Sequence, residues 1–449
     1  MRLVMDLTPL RRSRDLRLLV GGQLVSVLGS QMTGVAVAYQ VYRMTGSSID
    51  VGLVSLAQLV PLIIGALAGG AAADATDRRR LMLVTTALTA ACSAGLAVNA
   101  GAAPALWPLY VLPALAAGLS GFFDAALQAV IPNLAGARDV PAANAMFQAV
   151  FQLGLVAGPS AAGLLLAGSG IRFVYWIDAA SYGAALAAAL FIAAQPPSGR
   201  TRPPRRAHLA GRTGLALWTG PARAAGRARR EVPAGLRSIT EGFGFIRGRQ
   251  AVQGAYLIDL NATFFGLPRA LFPALAATRF GGGAATVGFL YAAPGAGALL
   301  GALTTGWVGR VRRQGRAVII AVIVWGLAII GFGLASWLPA ALALLAVAGW
   351  ADVISAVYRS TIIQLSVPDA LRGRLMGLQI AVVTGGPSLG DVEAGAVAAA
   401  LGDTVSVVSG GLACIAGALV LARLLPGLRR QRAGDAPAVS GRRIASTSQ

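Results

Sequence analysis

Twelve apolar runs of roughly 20 residues each leave this chain few ways to fold. They fall at about 18–42, 49–73, 81–100, 106–132, 141–167, 173–195, 251–275, 286–309, 317–336, 338–365, 375–400 and 404–425. Each run matches the hydrocarbon thickness of a bilayer. There, every backbone N–H and C=O must be satisfied within the segment, which an α-helix achieves. The expected fold class is an all-α membrane protein with 12 transmembrane helices. Hydrophobic residues make up 56% of the chain and charged ones 12%, which no soluble enzyme of this length needs. The 58 glycines suit close helix packing in lipid, where small residues let backbones touch.

The formal net charge of +21 would suit nucleic acid, but its placement argues against that. Arginines concentrate in alternate connections: the N-terminal arm (Arg11, Arg12, Arg14, Arg17), the 74–80 turn, the 196–250 connection, the 310–316 turn and the C-terminal tail. The opposite connections hold only Arg43, Arg172 and Arg279, and no aromatic residues interleave with the basic ones. This positive-inside pattern predicts a multi-pass protein of the cytoplasmic membrane with both termini cytoplasmic and an anionic inner leaflet as partner. Lysine is absent, so no P-loop lysine is available and ATP-driven work by this polypeptide is excluded on motif grounds. No nucleophile–base pair, metal-ligand spacing or cofactor loop stands out, so neither an enzyme nor a bound cofactor is expected. Cys92 and Cys414 lie inside spans 3 and 12, which indicates neither a disulfide framework nor a metal cluster. The segment Met1–Asp15 is polar and short for a cleavable signal, leaving span 1 as the insertion signal.

The chain also repeats itself. Val51-Gly52, Gly65-Ala66-Leu67 and Gly70 recur at an offset of 236 as Val287-Gly288, Gly301-Ala302-Leu303 and Gly306. At an offset of 228, Gly121 and Asp124 match Gly349 and Asp352, and Gly158-Pro159-Ser160 matches Gly386-Pro387-Ser388. Six spans per copy is an even number, so both copies enter the membrane the same way and a pseudo-two-fold axis lies along its normal. The expected division is a first six-helix half at 1–195, a basic cytoplasmic linker at 196–250, a second six-helix half at 251–425 and a disordered tail at 426–449. The linker holds nine arginines and no acid between Arg200 and Arg230, and its 235–249 piece has the pattern of an interfacial helix.

Between spans 2 and 3 stands Gly70-Ala-Ala-Ala-Asp74-Ala-Thr-Asp77-Arg78-Arg79-Arg80. It resembles the loop signature G-x-x-x-D-x-x-G-R-R/K of the major facilitator superfamily, with Asp77 where most members have glycine. A degenerate copy follows span 8, with Arg310 in the place of Asp74. Longer segments are similar to the enterobactin-exporter group of that superfamily and its drug-efflux relatives: Val287-Gly-Phe-Leu-Tyr-Ala-Ala293, Gly301-Ala-Leu-Thr-Thr-Gly306, Phe272-Pro-Ala-Leu-Ala276, Leu371-Arg-Gly-Arg374 and Asp178-Ala-Ala-Ser-Tyr182. The resemblance implies the major facilitator fold, with two pseudo-symmetric halves. It also implies a gate in which Asp74, Arg78 and Asp124 lock the outward-facing state where the 70–80 turn meets spans 4 and 11. Gly154, Gly158, Pro159 and Gly163 in span 5 resemble the antiporter motif that marks exporters; ordinary small-residue packing is the alternative.

Carboxylates inside spans are the sharper chemical signal, because a charge at mid-bilayer costs at least ~2.5–3.5 kcal/mol. Asp124, Asp259, Asp352, Asp391 and Glu393 lie within spans, and Asp178 near the outer end of span 6. The lone histidine, His208, is in the linker, so any proton must travel on carboxylates. Asp259 and Asn261 are candidates for a proton or substrate site, with an ion pair to another helix as the alternative for Asp259. Arg269 is a candidate anion anchor, and Asp352 and Arg359 share a helix face seven residues apart. Asp391 and Glu393, two apart, cannot share one. Phe123, Phe264, Phe265 and Trp350, with Phe122 and Tyr358, are candidate cavity aromatics. The expected function is a monomeric, proton-gradient-driven exporter of a small amphiphilic molecule such as a siderophore or drug, conferring multidrug resistance in the latter case. A proton-coupled importer and a non-transporting membrane sensor remain open at this point.

Overall fold

The computed structural model describes residues 8–101, 103–136, 138–193, 247–305, 311–366 and 369–432, with backbone alone for 365 and 369–381. The linker, its expected interfacial helix, His208 and the degenerate motif from Gly306 to Arg310 lie outside the described residues. The first half comprises α1 (Thr8–Arg12), α2 (Arg14–Thr45), α3 (Ser48–Ala75), α4 (Arg78–Asn99), α5 (Pro108–Ala135), α6 (Val140–Gly168) and α7 (Ile171–Leu190). The second comprises α8 (Gln250–Phe265), the 3-10 turn η1 (Arg269–Leu271), α9 (Phe272–Thr278), α10 (Ala284–Thr304), α11 (Gln314–Leu334), α12 (Leu338–Ser366), α13 (Asp369–Leu401), α14 (Asp403–Leu424) and α15 (Pro426–Arg430). Ten of these are long and apolar enough to cross a membrane alone. The broken helix α8–η1–α9 and the long α13 supply the other two of the twelve.

Local chemistry sets the hairpins. Gly46, at φ 65°, ends α2, and the Ser47 hydroxyl then caps α3 by accepting from the Asp50 N–H. Asp77 accepts from the Arg79 and Arg80 N–H groups, so the residue that departs from the loop signature is the N-cap of α4. Arg79 in turn donates to the Ala189 carbonyl at 3.2 Å and to the Leu190 carbonyl, placing a cation on the C-terminal end of α7.

The sequence repeat corresponds to helix crossings. A Cβ at Gly65 would strike the Gly118 carbonyl, and one at Gly121 would come within 2.5 Å of the Ala66 nitrogen. In the second copy, Gly349 presses on the Pro294 carbonyl and Gly301 on Trp350. Gly70 itself faces open space. Gly69 makes the close approach, 2.7 Å from the Phe122 Cα for an added Cβ.

Two further expectations fail for local reasons. Span 7, read as continuous over 251–275, breaks after Gly266, because Pro268 has no N–H and drives Leu267 out of helical geometry. The tail, read as disordered from 426, opens with α15, whose Leu428 is fully buried against Gly254 and Gly315. Residues 433–449 lie outside the described residues.

The halves meet along two seams. In one, Gly163 of α6 packs on Ala284, Ala285 and Gly288 at the start of α10. In the other, Gly52 and Ile49 at the start of α3 pack on Asp391 and Gly395 toward the end of α13. Both seams lie on the membrane face opposite the chain termini, because α3 and α10 begin there and α6 and α13 end there.

Candidate functional site

With one face sealed, the halves enclose a central cavity of about 660 Å³ that opens toward the face carrying the termini. That volume is in the range of small-molecule sites. The first half contributes neutral polar groups, among them Ser26, Ser30, Gln31, Gln58, Thr86 and Thr89, together with Asp124 and Asp178. The second contributes Arg269, Asp352, Asp391, Trp325 and Tyr291.

The break in span 7 builds this second wall. In a continuous helix the Ala270 N–H would donate to the Gly266 carbonyl. Here the Gly266 carbonyl accepts from the Trp325 indole at 2.7 Å, and the Ala270 N–H donates to Asp391 at 3.1 Å. The Arg269 carbonyl accepts from the Tyr291 hydroxyl at 3.0 Å. Irregular backbone at membrane depth is tolerated where it lines such a cavity. Arg269 sits on the break with its side chain exposed to the cavity, and it makes no ion pair among the described residues.

The carboxylates divide into distinct situations. Asp259 does not line the cavity and forms an ion pair with Arg359 at 2.8 Å. Arg359 also reaches Asp352 at 3.7 Å and donates to the Ser355 hydroxyl at 2.6 Å. It is buried, whereas the Asp352 side chain is 41% exposed and lines the cavity. Asp391 accepts from the Ser55 hydroxyl of the other half at 2.8 Å, and Glu393 is half-buried away from the cavity. Asp124 lines the cavity without an ion pair among the described residues. Asp178 was placed by sequence only near a helix end. It is buried beside the cavity, accepting from Thr33 and Ser93 at 2.7 Å each and from Ser181 at 3.5 Å. Its i, i+3 partner Ser181 is the signal in the sequence that could have marked it.

Several candidates are corrected. Asn261 donates to the Cys414 carbonyl at 2.8 Å and ties α8 to α14, outside the cavity. Phe264 and Phe265 stack edge-to-face at 4.7 Å away from it, and Trp350 donates to Thr304 between α10 and α12. Phe122 and Tyr358 do not line it either, and of that set Phe123 does. The aromatics that join it are Phe151, Tyr182 and Phe272, with Tyr291 and Trp325. Consecutive residues sit about 100° apart on a helix, and sequence does not say which of them is turned inward. In the motif region, Asp74 is exposed and Arg78 buried, and neither Asp74 nor Asp124 forms an ion pair among the described residues. In the span 5 motif, Gly154 and Gly158 pack on Val27 and Gln31 of α2, whereas Gly163 and the Pro159 carbonyl meet α10 in the seam.

A family model described as Major Facilitator Superfamily matches residues 19–270, and one described as Transmembrane secretion effector matches 222–439. The chain is similar to the enterobactin exporter EntS of Shigella boydii serotype 18 and of Escherichia coli O157:H7. In each case it is 30% identical over 435 residues, covering 96% of both chains. In architecture it is similar to a POT family transporter in complex with 5-aminolevulinic acid (TM-score 0.68, 11% identity, 93% of this chain and 97% of that one). It is likewise similar to a D-xylose–proton symporter (TM-score 0.67, 14% identity, 93% and 99%).

Proposed function

The chain belongs to the major facilitator superfamily, and on that premise we propose that it is a proton-coupled exporter of a small amphiphilic molecule of siderophore or drug type. It is a multi-pass membrane transporter of small molecules and not an enzyme. The observation that carries the finer reading is the central cavity, closed on one face by two glycine seams and walled by hydroxyls, aromatics and Arg269, which makes no ion pair among the described residues. With the termini cytoplasmic, as the arginine distribution argues, the cavity takes cargo from the cytoplasm. Rocking of the halves would part the seams and release it outside. Arg269 would meet an acidic group on the cargo, the hydroxyl wall would exchange hydrogen bonds with its polar rim, and the aromatics would hold its apolar body. Asp74, Arg78 and Asp124 would come together only when the termini-side mouth closes. Arg313, Arg316, Arg429, Arg430 and Arg432 surround a second hollow at that mouth face, which suits an anionic leaflet.

The test is uptake of enterobactin into everted membrane vesicles carrying the protein. Export predicts accumulation that needs a proton gradient and collapses with an uncoupler. Accumulation in right-side-out vesicles instead would establish an importer. Absence of uptake in both, with a siderophore and lipophilic drug panel, would overturn transport of this cargo class.

A further inference from the structure

Among the described residues, Asp391 draws its hydrogen bonds from both halves. One carboxylate oxygen accepts from Ser55 of α3 at 2.8 Å, the other from the Ala270 N–H of its own half at 3.1 Å. Asp178 draws Thr33, Ser93 and Ser181 from the first half alone, and Asp259 and Asp352 share Arg359 within the second. Rigid rocking of the halves leaves the contacts just named for those three intact and changes those of Asp391. Ser55 lies one helical turn beyond Gly52, where an added Cβ would come within 2.5 Å of the Asp391 carbonyl, so the hydrogen bond is part of the α3–α13 seam.

We propose that Asp391 is the proton-binding site that couples this transporter to the proton gradient, by latching the seam when ionised and releasing it when protonated. The proposal rests on the transport reading above. Ionised, Asp391 accepts a charge-assisted hydrogen bond from Ser55, stronger than one between neutral groups. Protonation removes that charge and loosens the seam. With the seam closed, the carboxylate borders the cavity and reaches solution at the termini-side mouth. With the seam parted, it reaches the other face. A proton taken up on one side is thus released on the other, and the difference in proton affinity between the two states is what lets the gradient bias them. The groups that act on Asp391 electrostatically are Arg269 of η1 and Tyr291 of α10. Among the described residues, the neutral Ser55 is what α3 presents to it, and α8 and α14 present no charged group to it.

The test measures distance across the sealed face without cargo. The full chain, with Cys92→Ala and Cys414→Ala, carries spin labels at Met44→Cys and Leu401→Cys in lipid nanodiscs, where both faces share one pH. The expected result is a short distance at alkaline pH and a growing long-distance population as pH falls. Asp391→Asn should show the long population at every pH. Ser55→Ala, which keeps the carboxylate and removes the donor, should open at a higher pH than the parent. Asp178→Asn should keep the parent's transition. A pH-independent distance in the parent, or a parent-like transition in Asp391→Asn, would overturn the proposal. Because no cargo is involved, that failure is separable from a failure of the vesicle assay.

Discussion

Arg359 holds two carboxylates of the second half in place, and its removal should be costly for a reason independent of transport. Asp259 is buried at 2.8 Å from it, so Arg359→Met removes the cation that faces a buried charge. Breaking a buried pair this way costs about 3–5 kcal/mol, whereas replacing both partners by apolar groups is often neutral. Thermal unfolding in detergent should therefore show a strongly lowered midpoint for Arg359→Met and substantial recovery when Asp259→Leu is added. Arg269 should behave oppositely, because it is exposed to the cavity and unpaired among the described residues. Arg269→Ala should leave the unfolding midpoint unchanged and weaken binding of an acidic probe by the roughly 1.5–3 kcal/mol of a hydrogen bond to a charged group, about ten- to a hundred-fold, read by fluorescence titration. Both residues were legible as functional candidates because charge in a membrane span is expensive. Their opposite roles were not, since an arginine ten residues from Asp259 along the chain and one a hundred residues away compete for the same partner only in three dimensions.

At the scale of single helices, the glycines separate into those that touch another backbone and those that do not. Gly163→Leu places a side chain where an added Cβ already comes within 2.9 Å of the Ala285 carbonyl and the Gly288 Cα. The seam then cannot close. Transport should fall to background while Gly70→Ala, whose Cβ meets open space, stays within about 0.5 kcal/mol of the parent in stability and keeps transport. Transport assays paired with unfolding midpoints check both. Leu428 gives the matching test for α15: being fully buried, its truncation in Leu428→Ala should cost about 2–5 kcal/mol, against nothing measurable were this segment disordered. Helix number and approximate ends could be read from the apolar runs, and Pro268 carried the information for the break in span 7. The docking of α15 could not be read, because it depends on Gly254 and Gly315 leaving room for one leucine across more than a hundred residues.

Across the whole molecule, the two seams on one face and the mouth on the other amount to a single conformational state, and that state can be addressed directly. Ser120 lines the cavity and is exposed to it. A membrane-impermeant maleimide should therefore label Ser120→Cys in everted vesicles and leave it unlabelled in right-side-out ones; the reverse pattern would mean that the mouth faces outward. The sequence by itself determined the number of membrane crossings, the pairing of spans into two halves and the sided distribution of arginine. These follow from transfer free energies that add up residue by residue along each run, and from a duplication that preserves crossing glycines such as Gly65 and Gly301. The tertiary structure alone decided which charges face the cavity, which aromatics line it and which carboxylate bridges the halves. Those outcomes depend on how each helix is rotated about its axis and where it crosses its neighbours. Packing sets both between residues as distant in the chain as Ser55 and Asp391, and no local pattern records it.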